Sequence, residues 1–402
     1  MSNTATAFTA GSPARPLTSR NSPNHAHTSR AWLSPLPIAA APATVNASVS
    51  TRRCPPPYNR AMKALVTGGT GFVGSHLIEQ LRARGDDVVA LCRPGSNRGL
   101  LEDIGAEVRY GDLDDLASLE AACAECDVVY HCAARVEIIG AWDAFRRTTI
   151  DGTRRLVDAA VKCGVKRFVF VSSCGVYHPR LMAAGQTINE FTESPDPPEW
   201  FPYAKAKLAA ERVVRELAPP MEWTIIRLGY LYGPRNRTMK SYLEPVMKGG
   251  IMTLLGDGSN PMALVYVADA AKAILLAGVT PAAAGKLLIA GGHEHLTQKD
   301  YFDAMADGFN LPRVTKKVPY GVAFFFGWLG EYLFKSGPRA AAMRRCAIAL
   351  TGLPQRINCD YTQKLLNWKP ETRFADGMHE AFRWYHAEYN RPAGASTSPV
   401  RR

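Results

Sequence analysis

From Met62 onward the chain alternates short apolar runs with longer amphipathic ones. Ala64-Leu-Val66, Asp87-Val-Val-Ala-Leu91, Ala106-Glu-Val-Arg-Tyr110, Asp127 to Cys132, Arg167-Phe-Val-Phe-Val171 and Trp223-Thr-Ile-Ile226 are too short for helices and rich in Val, Ile and aromatic residues. Each predicts a strand. Helical spacing predicts helices between them, over about Ser75 to Arg84, Gly152 to Lys162 and Tyr203 to Glu216. Strands apolar on both faces, alternating with helices, predict a parallel sheet covered on both sides. Such a sheet binds ligands beyond the carboxyl ends of its strands, so chemistry is expected in the loops that follow each strand.

The first 61 residues break this pattern. Ala, Ser, Thr and Pro fill 36 of them, and no helical or strand period persists. The best apolar run for a secretory signal, Leu33 to Val45, is interrupted by Pro35, Pro37 and Pro42. Residues 1–61 are therefore expected to be a leader outside the fold, either an organelle transit segment or an over-extended reading frame whose start is Met62. Composition changes the picture in one respect. The 402 residues are 47% hydrophobic and 21% charged, which excludes a disordered chain and a small disulfide scaffold. The net charge of +12 suggests nucleic acid, but six of those charges are the six Arg of the acid-free leader. The rest of the chain is only modestly basic and lacks Arg/Lys clusters interleaved with aromatics, so no nucleic-acid partner is expected. Nine scattered Cys include one CxxC, Cys123 to Cys126, without a second pair, and are expected to be reduced thiols with no metal site. No run reaches the 18 apolar residues of a spanning helix. A cytoplasmic enzyme is expected.

The loops carry candidate chemistry. After the first strand, Gly68, Gly71 and Gly74 are spaced three apart, suiting a tight turn, backbone approach to a pyrophosphate, and close helix–strand packing. The following helix N-terminus would present free N–H groups to phosphate. Where an NAD site usually carries an acid, the second strand ends in Arg93, with Arg98 close behind. A guanidinium suits a 2′-phosphate, so NADP is favoured, with NAD as the alternative. Asp112, after the third strand, suits either the adenine amino group or the cap of the next helix. Tyr203 and Lys207 stand one helical turn apart, after a fifth-strand loop holding Ser172 and Ser173. Chance could supply that spacing; its position gives it weight. A phenol of pKa near 10 needs help to act as a base at neutral pH, and a nearby ammonium is expected to lower it.

These residues resemble the extended short-chain dehydrogenases/reductases, from about Met62 to His386. The resemblance rests on TGGTGFVG (67–74), GDL (111–113), HCAA (131–134), VSS (171–173), YAKAK (203–207) and LNWKP (366–370). It implies an α/β fold: a Rossmann-type, doubly wound parallel sheet with a smaller C-terminal substrate-binding lobe. The division expected is 62–232 for the cofactor domain, with 262–291 returning to it, 233–261 and 292–390 for the lobe, and a flexible tail over 391–402. It also implies Ser173, Tyr203 and Lys207 as the catalytic group. Gly68, Gly71, Phe72, Val73, Gly74, Arg93, Asp112, Leu113, Ala133, Ala134 and Lys207 are implied to hold the cofactor, and a homodimer is usual.

Two departures bear on substrate and geometry. The supporting Asn common in the family is Thr149 here. Sugar-nucleotide epimerases usually carry an Arg ahead of the Tyr/His-Val-x-Asp motif to grip a diphosphate. Pro261 and Met262 stand there instead, with Arg235 and Arg237 as partial substitutes. Val318 to Phe334 is dense in aromatic and aliphatic residues. It is expected to be a buried helix, a wall of an apolar pocket, or a peripheral membrane contact through 318–345, aided by Lys335, Arg339, Arg344 and Arg345. The stretch is similar to the 3β-hydroxysteroid and sterol-4α-carboxylate dehydrogenase branch, whose substrates are hydrophobic alcohols near membranes. The expected function is thus an NAD(P)-dependent oxidoreductase interconverting a secondary alcohol and ketone on a sterol- or lipid-like small molecule. A sugar-nucleotide 4-epimerase or dehydratase is the first alternative. A cofactor-sensing or RNA-binding protein on the same fold is the second.

Overall fold

Seven parallel strands form the central sheet: β1 (Lys63–Thr67), β2 (Asp87–Cys92), β3 (Glu107–Tyr110), β4 (Val128–His131), β5 (Arg167–Ser173), β7 (Glu222–Leu228) and β12 (Lys286–Ala290). Their spatial order is β3-β2-β1-β4-β5-β7-β12. The computed structural model describes residues 61–136, 140–237, 253–333 and 344–389. All but Ala61 of the expected leader, and the expected tail, lie outside these residues. The chain winds outward from β1 in both directions, so the order reverses between β1 and β4, where an α/β sheet opens a crevice for a ligand. This is the doubly wound, Rossmann-like architecture read from the sequence.

Strand alternation builds two cores at once. Ala64, Val66, Val128, Tyr130 and Val169 face one side, against α1 (Phe72–Arg84) and α8 (Val267–Val279). Leu65, Val129, Phe168, Phe170 and Ile225 face the other, against α3 (Leu116–Cys123), α5 (Gly152–Lys162) and α7 (Pro202–Leu217). Covering both faces is what let the strands be apolar throughout. A third, aromatic core joins Tyr232, Tyr266, Tyr301, Phe374 and Tyr385 with Met262, Met305 and Met378. Short strand pairs lie outside the main sheet, among them β8 (Tyr230–Tyr232) with β11 (Leu264–Tyr266), and β6 (Thr187–Ile188) with β15 (Arg356–Ile357).

The aromatic run is helix α10 (Tyr320–Leu333), and it is neither buried nor a wall of the cavity described below. Its inner side is made of Gly327 and Gly330, which let it press against helix α11 (Arg345–Gly352). The large side chains are displaced outward, with Phe325, Phe326, Trp328, Tyr332 and Leu333 all at least half exposed. The basic cluster is also altered. Arg345 is held by Glu331 at 2.9 and 2.7 Å and stacks on Trp200, while Lys335 and Arg339 lie outside the described residues.

Candidate active site

A cavity of about 410 Å³ opens at the carboxyl ends of β1, β4, β5 and β7. One half is the Gly-rich turn between β1 and α1. Gly68 has φ +71°, and a Cβ there would meet Ala133 N at 2.9 Å; one at Gly74 would lie 2.3 Å from Gly68 O. No side chain caps the N-terminus of α1, whose first-turn N–H groups have no partner within the helix. The backbone is thus bare where a pyrophosphate would approach, so the residues present fit a dinucleotide. Gly68, Gly71, Phe72, Val73, Gly74, Ala133 and Ala134 all line this half, together with Ser173, Tyr203 and Lys207.

A chain of hydrogen bonds sets the shape of the floor. Thr153 Oγ1 donates to the Thr149 carbonyl at 2.5 Å and so accepts from His131 Nε2 at 3.0 Å. His131 Nδ1 then accepts from Thr67 Oγ1 at 2.7 Å, and Thr67 Oγ1 accepts from Ala133 N at 3.3 Å. The chain fixes His131 as the neutral Nε2–H tautomer. Burial, helped by the Lys207 charge, lowers its pKa to about 3. Thr149 sits in a single π-helical turn, Arg146–Asp151, and its hydroxyl accepts from Arg135 N at 3.3 Å. Where the family has Asn, this Thr secures the loop after β4.

Tyr203 and Lys207 share a face of α7, as the spacing required. Lys207 is buried, donates to Val171 O at 2.7 Å and lies over the Phe170 ring. Burial lowers its ammonium to about 8, partly countered by Cys132 and Glu211. The expectation that Lys207 draws the Tyr203 phenol downward is not met. Burial pushes that phenol up, and the side chain easing the shift is Ser173, through a hydrogen bond. The two adjacent serines diverge because strand neighbours point to opposite faces. Ser173 turns to Tyr203 and also accepts from Gly175 N at 3.1 Å. Ser172 turns away and donates to Glu211 at 2.6 Å.

Glu211 was overlooked in the sequence. It is fully buried and binds Arg227 through two bonds of 2.8 and 2.7 Å, with Arg215 at 3.2 Å. Its signal was present: Tyr203, Lys207 and Glu211 recur every four residues along one face of the helix.

Arg93, Asp112 and Leu113 do not line the cavity; they follow the neighbouring strands β2 and β3. Arg93 is exposed and makes no salt bridge among the described residues. Arg98 is committed to Glu102 at 2.5 Å and stacks on Tyr110. Asp112 is not the helix cap: its carboxylate accepts from Asp114 N at 3.1 Å, while Asp115 caps α3. Leu113 is buried beneath Gly152. Arg235 does not face a diphosphate either, because Glu79 grips it at 2.9 and 2.6 Å. Cys123 and Cys126 are buried free thiols, and burial pushes Cys126 up to about 11.

The far half of the cavity is apolar, with Met182, Ile188, Leu231, Cys346, Leu350 and Ile357. Arg356 also lines it, exposed and with no salt bridge among the described residues, a cation that the sequence reading passed over.

The model of the NAD dependent epimerase/dehydratase family matches residues 64–290. The chain belongs to that family. Its members include NAD-dependent dehydrogenases, reductases and epimerases, and this chain is an enzyme of that class. It is 30% identical over 279 residues to the 2-alkyl-3-oxoalkanoate reductase of Stenotrophomonas maltophilia, covering 68% of this chain and 83% of that protein. It is 23% identical to the mouse sterol-4-alpha-carboxylate 3-dehydrogenase (decarboxylating), over 82% of this chain and 92% of the other. Among solved structures, the UDP-glucuronic acid 4-epimerase of Bacillus cereus, in complex with UDP-glucuronic acid and NAD, superposes with a TM-score of 0.62. It is 20% identical, over 82% of this chain and all of the other, a likeness of fold.

Proposed function

We propose that this family member interconverts a secondary alcohol and a ketone on an apolar, sterol- or lipid-like substrate, with NADP favoured over NAD. The observation that carries this reading is the pairing of Ser173, Tyr203 and Lys207 with an apolar far wall in one cavity. The Gly68–Gly74 turn would hold the pyrophosphate, Ala133 and Ala134 would line the cofactor, Lys207 the ribose, Asp112 the adenine amino group, and Arg93 a 2′-phosphate. A bound nicotinamide would donate or accept the hydride.

The chain's own part is proton handling at the reacting oxygen. In reduction Tyr203 gives its phenolic proton to the ketone oxygen while Ser173 donates a hydrogen bond to it. In oxidation the same oxygen returns its proton to the phenolate. Burial holds the phenol protonated, the form that donates in reduction. The reductase and the dehydrogenase relatives are each named for a substrate whose carboxylate is borne by the carbon next to the one that carries the reacting oxygen. Arg356 supplies a matching cation here, which narrows the substrate to a 3-oxo or 3-hydroxy acid with a bulky apolar body. The sugar-nucleotide reading is weaker, since Pro261 and Met262 replace its diphosphate cation and Arg235 is bound to Glu79. Tyr203→Phe should lower kcat by roughly 10²-fold or more, the scale of lost general acid–base catalysis, with cofactor affinity unchanged. Retained turnover would remove Tyr203 from the mechanism.

A further inference from the structure

Helix α10 is inverted relative to a core helix. Val322, Phe325, Phe326, Leu329, Tyr332 and Leu333 recur at helical spacing as one stripe, yet the stripe faces outward, with Phe325 56% and Tyr332 79% exposed. The seat of the helix is fixed, because a Cβ at Gly327 would lie 2.6 Å from the Ile348 side chain. The outward face is therefore built rather than left by loose packing. Its charge is arranged as well. Glu331, the single acid of the helix, is neutralised by Arg345, while Lys316 and Lys317 just ahead of it are exposed and make no salt bridge among the described residues, Asp257 being the acid that feels the charge of Lys317.

We propose that this face docks the enzyme on an anionic lipid surface. An apolar stripe edged by exposed lysines meets both acyl chains and headgroup charge, and Trp328 and Tyr332 suit the boundary between them. The helix has 14 residues, and no described helix is long and apolar enough to cross a membrane, so it lies in the interface plane. The docked face also adjoins the cavity. Helix α11, on which α10 rests, contributes Cys346 and Leu350 to the cavity wall, and Phe324 packs edge-on against Trp200, 5.4 Å between centroids. Lipid docking does not depend on the substrate reading; delivery of substrate from the bilayer does.

The test is sedimentation of the full chain with phosphatidylcholine vesicles, with and without phosphatidylglycerol. The protein should pellet with the anionic vesicles and be released by salt. Phe325→Ser with Phe326→Ser should reduce partitioning by about tenfold or more with an unchanged melting temperature. Lys316→Glu with Lys317→Glu should remove the preference for anionic vesicles. Absence of pelleting, or equal pelleting of the Phe variant, would overturn the proposal. So would a wild-type dimer that the Phe variant converts to monomer, since a second copy would then be the occupant. Turnover of apolar ketones in solution is scored separately, so loss of docking leaves the functional reading standing.

Discussion

Glu211→Ala perturbs the buried charge beneath the active site. In the wild type this carboxylate takes two bonds from Arg227, at 2.8 and 2.7 Å, one from Ser172 at 2.6 Å and one from Arg215 at 3.2 Å. Removing it leaves the Arg227 guanidinium buried without its counter-ion, a situation that costs about 3–5 kcal/mol. Arg215 is partly exposed and adds little. With an unfolding entropy of about 2.1 cal/mol/K per residue, a fold of this size loses roughly 4–7 °C in Tm. Urea and thermal unfolding of the purified variant measure both figures. Glu211→Leu combined with Arg227→Met should recover most of the loss, because neither charge then remains buried. A single variant within about 1 kcal/mol of wild type, or a double variant no more stable than the single, refutes the reasoning.

Arg93→Ala should weaken NADP by about 10- to 100-fold, the scale of a lost charged hydrogen bond, and leave NAD nearly unchanged. Titration of each cofactor against intrinsic fluorescence checks this, and an unaltered preference removes Arg93 from the site. His131 carries a pH prediction. Its folded pKa is about 3 against an ordinary 6.5, so between those values the unfolded chain binds a proton that the folded chain does not. Stability is complete above pH 6.5 and falls as the pH drops toward 3, by about 2 kcal/mol at pH 5 from this group. His131→Asn should flatten the pH 7-to-5 dependence of the urea midpoint by that amount, and a slope identical to wild type would contradict the neutral tautomer. Arg356→Leu should raise KM for a 3-oxo acid about tenfold or more while sparing its neutral ester; equal effects on both would show that Arg356 does not read the carboxylate.

The parts of this molecule legible in the sequence are those set by local pattern. The predicted helix from Gly152 to Lys162 matches the observed one, and the apolar strands emerge where expected, because all of them but the edge strand β3 are buried on both faces. Features that depend on distant partners were not legible. Glu79 and Arg235 meet across 156 positions, so nothing local disclosed that Arg235 was committed elsewhere. Arg98 is the opposite case: Glu102 four residues on was a visible partner. The aromatic density of 318–334 left a buried helix, a pocket wall and a membrane contact all open, because composition does not say which side of a helix packs. Two glycines decided that, by offering a closer seat than Phe or Trp allows. The π-helical turn at Thr149 left no periodic trace.

The central claim is net hydride transfer on an apolar ketone or alcohol, and the direct measurement is a cofactor-coupled turnover screen. The wild-type enzyme is offered long-chain 2-alkyl-3-oxo acids, 3-hydroxysterol carboxylates and UDP-sugars, each with NADPH or NADP and with NADH or NAD. The account predicts stoichiometric change in nicotinamide absorbance with the apolar substrates, faster with the phosphorylated cofactor. Conversion of UDP-sugars alone, with no net change in the nicotinamide, would contradict it.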